Sequence, residues 1–144
     1  MTNQFILDLE NKLQGIGTRL KELHFSAPSY SIHKLVDDFD SEFKEFEDAI
    51  MENAQSLWGF IQPGDLKPEL PEAMDFEALL EDIRGILVSI KKQAGNNMMW
   101  TGIINSVDDF FTSVNKYIYL IKIAEQNLYK RKGIVCKRSL FLSP

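Results

Sequence analysis

Between Phe5 and Leu23 the apolar residues Phe5, Ile6, Leu9, Leu13, Ile16, Leu20 and Leu23 recur at steps of three and four. That spacing lines one face of an α-helix, and it predicts a first helix over about 3–24. SAPSYS then breaks the pattern: Pro28 disfavours helix at Ala27, and Ser31 is placed to cap a second helix. The second stripe, Leu35, Phe39, Phe43, Phe46, Ile50 and Leu57, predicts a helix over about 31–58, roughly 42 Å long. IQPGDLKPELPEAM holds three of the five prolines and a glycine, so it reads as a connection. A third helix is predicted over about 75–94 from Phe76, Leu79, Leu80, Ile83, Ile86, Leu87 and Ile90, with Gly95 where a C-terminal glycine belongs. A fourth, over about 97–126, carries Trp100, Ile103, Ile104, Val107, Phe110, Phe111, Val114, Ile118 and Ile121.

Short links between the first and second and between the third and fourth helices make two antiparallel hairpins, and the link between the hairpins is long. The fold class is therefore all-α, and a bundle with one long crossover is the ferritin-like arrangement, although the stripes alone would also serve an all-short-loop bundle. The length of 144 residues fits one domain, read as a bundle over 1–126 and a basic tail over 127–144. No apolar run approaches the roughly 20 residues of a membrane span, and MTNQFILDLENKL has acids where a signal peptide is apolar. A cytoplasmic protein is expected. With one cysteine, Cys136, neither an intrachain disulfide nor a zinc knuckle can form.

Charge changes the picture more than composition does. From Asn127 onward there are five bases, Lys130, Arg131, Lys132, Lys137 and Arg138, and no acid. With a net charge of −5 overall, this leaves −10 on the first 126 residues. Such a body repels DNA, so DNA binding through the five tail bases is open but not favoured against a tail that is solvated or docked on the bundle through Leu140, Phe141 and Leu142.

Candidate chemistry gathers on the second helix and just before it. The only two histidines, His24 and His33, are nine residues apart and followed by Asp37. At 100° per residue from Leu35, His33, Asp37, Asp48 and Glu52 fall at about 160°, 200°, 220° and 260°, away from an apolar stripe centred near 50°. A solvated polar face is the plain account, and Ser41 and Lys44 share that face. The spacing allows more. His33 with Asp37, and Asp48 with Glu52, are i,i+4 pairs suited to a transition metal, and His24 lies within reach of His33 through the short loop. Asp37 and Asp48 are about 16 Å apart along the axis, so one chain cannot bring both pairs to one ion. An antiparallel copy of the helix, related by a two-fold axis near residues 42 and 43, would set Asp37 of each chain against Asp48 of the other and form two equivalent sites.

These residues resemble the ferroxidase constellation of the Dps family, the DNA-binding proteins from starved cells within the ferritin superfamily. HF at 24–25 stands for the family's H-W, HKLVD supplies His33 and Asp37, DAIME supplies Asp48 and Glu52, and the fifteen-residue step from His33 to Asp48 is the family's step. The resemblance covers about residues 5–126. It departs in a shorter loop between the histidines, in Phe25 for the usual tryptophan, and in MTNQF for a lysine-rich N-terminal arm. The resemblance implies Fe(II) held by His24, His33, Asp37, Asp48 and Glu52 across a two-fold interface. It further implies oxidation by peroxide or dioxygen and storage of ferric mineral inside a dodecameric shell. The alternative is a ferritin-like structural or interaction protein that assembles through the second helix without turning over metal.

Other chemistries fit less well. No Glu-x-x-His occurs, so the carboxylate di-iron pattern of ferritins is not expected, and HExxH is absent. Gly15 and Gly17 lack the third glycine of a dinucleotide loop and read as marks of close helix packing. Trp58 and Trp100, at helical spacing without basic neighbours, read as core or interface filling.

Overall fold

The four apolar stripes each become one helix. The computed structural model describes residues 3–131, as α1 (Asn3–Ser26), α2 (Tyr30–Trp58), α3 (Phe76–Ala94) and α4 (Thr101–Arg131), the last entered through a 3-10 turn over Met98–Trp100. Among the described residues there is no strand, and no helix is long and apolar enough to cross a membrane. The chain leaves α1 through three residues and enters α2 at an extended Ser29 (φ −151°), whose Oγ accepts from Ile32 N–H. Ser29 rather than Ser31 is the cap, because Pro28 forces the break two residues earlier than the apolar pattern alone indicates. Asp75 caps α3 in the same way, accepting from Ala78 N–H, and Gly95 closes it at φ 53°. The last helix runs five residues past the expected end at Gln126, so Lys130 and Arg131 belong to α4. Lys132, Lys137, Arg138, Cys136 and the apolar trio Leu140–Leu142 lie outside the described residues.

α2 packs on both α1 and α4, α4 packs on α2 and α3, and α1 and α3 barely touch. Between α3 and α4 the hydrogen bond Arg84–Asn115 (3.0 Å) and the ion pair Lys91–Asp108 (2.7 Å) fix an antiparallel register. The core is aromatic at mid-height. Phe39, fully buried, has ring neighbours in Phe43, Phe76, Phe110 and Tyr117, and Phe46 stacks on Phe110 at 4.3 Å. Glu42 accepts from Ser113 (3.0 Å) and from the Tyr117 hydroxyl, tying α2 to α4; burial, then that bond, hold the phenol well above its usual range. At one end Phe5, Trp58 and Trp100 form a second cluster with ring centroids 5.1–5.6 Å apart, the expected packing role for both tryptophans.

Residues 59–75 do not hang free between α2 and α3. Lys67 N–H donates to Asn11 Oδ1 (2.6 Å), Glu69 N–H to the Asn11 carbonyl (2.9 Å), and Arg19 donates to the Pro71 carbonyl (2.9 Å). The linker thus runs along the outer face of α1 in the direction of α1, and delivers the chain to the start of α3. Gly15 makes this approach possible, since an added Cβ would overlap the Glu69 carbonyl, whereas at Gly17 it would meet only the Phe43 ring at 4.0 Å. Of the two glycines only Gly15 marks a close approach, and that to the linker backbone rather than to a helix. Gly15→Ala is expected to cost about 2–3 kcal/mol in urea unfolding by forcing the linker off its hydrogen bonds. Gly17→Ala should instead gain about 0.5–1 kcal/mol from helix propensity. Equal effects at both positions would show that the linker contact does not matter.

Candidate metal site at the α1–α2 turn

The three-residue turn folds the end of α1 back over the start of α2, and this sets His24 beside both His33 and Asp37. The His24 and His33 rings lie with centroids 4.0 Å apart, both half-buried. His33 Nδ1 is 2.9 Å from the His24 carbonyl oxygen. A carbonyl can only accept, so that bond places the proton on Nδ1 and leaves Nε2 with its lone pair, the arrangement that orients a metal-binding imidazole. His24 Nδ1 stands 3.9 Å from Asp37 Oδ1, too long for a hydrogen bond but close enough to share one small cation. Phe25 meets the His24 ring edge-on at 5.4 Å and Tyr30 stacks over His33 at 6.2 Å, and both are largely exposed.

Asp48 and Glu52 stand apart from this group, exposed on the outer face of α2 three and four turns further along. No set of three or more His, Cys, Asp or Glu side chains among the described residues, His24, His33 and Asp37 included, is arranged around one ion within the chain. Neither Asp48 nor Glu52 makes a hydrogen bond or ion pair among the described residues. Lys44, on the same face, pairs its ammonium with Asp40 at 2.9 Å, and that hydrogen bond is the first cause of its raised pKa. Lys34 is likewise held by Asp38 at 3.0 Å.

One acid was not foreseen. Glu10 of α1 is almost wholly buried against α2, with Oε1 lacking a partner. Burial, then a hydrogen bond from the carboxyl to Glu47, then the charges of Glu47 and Asp48, push it up to about 9, so the pair holds a proton at neutral pH. The pattern hides it because Glu10 follows Leu9 at the rim of the apolar stripe, where an acid normally reaches solvent.

Comparison of the chain with protein-family models, curated proteins and solved structures found no match. What the site can do must therefore be argued from its own chemistry.

Proposed function

We propose that the protein is a Dps-like ferroxidase and iron-sequestering protein of ferritin-like fold, with iron as both substrate and cargo. The observation that carries this reading is the placing of His24 beside both His33 and Asp37, with the His33 ring turned so that Nε2 is free. Borderline imidazole nitrogen with hard carboxylate oxygen suits Fe(II), and an exposed half-site leaves coordination positions open to an oxidant. In an assembled dimer, Asp48 and Glu52 of the two-fold partner would complete each site. Their lack of hydrogen-bond or ion-pair partners among the described residues and the polar outer stripe of α2 are in keeping with that role. The long linker laid along α1 supports the ferritin-like topology, since it joins the two hairpins by one crossover. The acidic body would attract cations to the interior of a dodecameric shell.

A non-catalytic structural protein using the same α2 interface is the second reading. It is favoured by the absence of a complete ligand set in one chain. The two part on a simple measurement. Protein purified from iron-supplied cells is expected to carry iron in excess of one atom per chain and to have a solution mass of several chains. A stable monomer without iron would overturn the proposal, and an iron-free oligomer would select the structural reading.

A further inference from the structure

The scant contact between α1 and α3 leaves a groove of about 750 Å³, walled by α3 on one side and by linker residues 69–71 on the other. Its floor is apolar, with Leu9, Ile16 and Ile90 buried and Ile86 and the linker's Leu70 still open. Its rim is acidic: Asp8, Glu69, Glu81 and Asp82 stand against the single base Lys12, and of these Glu81 is already paired with Arg84 at 2.7 Å. An occupant that fits both must be apolar along one edge and basic beside it. A helix face left open in this way normally finds a cover.

We propose that the cover is this chain's own segment from Ile134 to Leu142, which lies outside the described residues. IVCKRSLFL combines Ile134, Val135, Leu140, Phe141 and Leu142 with Lys137 and Arg138, and contains no acid. The geometry permits the reach. Because Arg84 lies opposite Asn115, Gly85 on the groove wall is level with about residue 114 of α4, roughly 26 Å below the end of α4 at Arg131. From Arg131 to Leu140–Leu142 an extended chain spans about 30–38 Å, enough to descend and to cross α3. The apolar trio then covers Ile86 and Leu70 while Lys137 and Arg138 pass Asp82. Docked this way the bases neutralise the rim, which would also withdraw them from any external polyanion. The inference stands apart from the metal reading and does not depend on it.

The test uses the full chain with Cys136→Ser, Gly85→Cys, and a second cysteine at Ser139 or Ser143, flanking the trio. Gly85 is exposed and an added Cβ there meets nothing within 4 Å, so the fold should tolerate it. Thr112→Cys, exposed on α4 at nearly the same height but off the groove, is the control. Under mild oxidation the expected result is an intrachain disulfide to Gly85→Cys from at least one tail position, at least tenfold faster than to Thr112→Cys. A disulfide between chains would assign the groove to a neighbour's segment and overturn the proposal. Absent or equal cross-linking at the two positions would overturn it too, leaving the groove to a separate basic peptide or small amphiphile.

Discussion

Replacing Asp48 and Glu52 together with alanine is expected to reduce rapid Fe(II) oxidation to the rate of protein-free buffer while leaving fold and assembly unchanged. Both residues are exposed and make no hydrogen bond or ion pair among the described residues, so alanine should cost stability no more than about 0.5 kcal/mol. Replacing His33 and Asp37 with alanine should give the same loss from the other half of the site. The two inactive variants then provide a stricter test than either alone. In a dimer of one variant with the other, one of the two sites regains a full ligand set and the other loses both halves. Random mixing of equal amounts makes half the dimers mixed, so about a quarter of the wild-type rate should return. Oxidation that survives in either variant, or no recovery on mixing under conditions where subunits exchange, would remove the shared site.

The second large effect concerns Glu10. Its carboxyl is pushed up to about 9 in the folded protein, against 4.5 for the unperturbed group. Below about pH 4.5 both folded and unfolded chains hold the proton, and the group does not oppose folding. As pH rises from there towards 9 the unfolded chain releases the proton and the folded one keeps it, so stability falls across that window, by up to about 3 kcal/mol at pH 7. In Glu10→Gln the amide still donates to Glu47 and has no proton to lose. Urea unfolding of this variant should show a nearly pH-independent stability between 5 and 9, and a gain of up to about 3 kcal/mol over wild type at pH 7. A wild-type slope in the variant would mean that Glu10 is solvated in solution. Asp48 contributes to the same rise, so Asp48→Ala should shift the window slightly lower.

Local signals carried much of this architecture. The 3.6-residue apolar period, Pro28, Asp75 and Gly95 fix helices because each acts within a few residues, and the bounds of α2 and α3 agree with expectation to within one residue. Where the signal weakens the ends move: Asn127–Arg131 continue α4 because nothing in NLYKR breaks a helix, whatever its charge. Within the candidate site, the meeting of His24 with His33 followed from a short loop, but the bond to the His24 carbonyl, the engagement of Lys44 with Asp40, and the Glu10–Glu47 pair did not. Those depend on how α1 is rotated against α2, and side-chain spacing along one helix holds no record of its neighbour's rotation. The register of the linker on α1 was hidden for the same reason, although Gly15 marked where a backbone would come close.

Because Trp58 and Trp100 share one cluster with Phe5, the intrinsic fluorescence of the protein reports a single locus at the far end of the bundle from the histidines. His33 is 25 residues before Trp58 on the same helix, about 37 Å away, whereas Glu52 is only six residues before it, about 9 Å. A paramagnetic ion resting on the histidine half-site of a lone chain would leave the indoles bright. The same ion held between two chains would lie beside the other chain's Trp58 and darken it. Emission intensity therefore distinguishes an ion merely captured from one enclosed by a pair of subunits, with no label added.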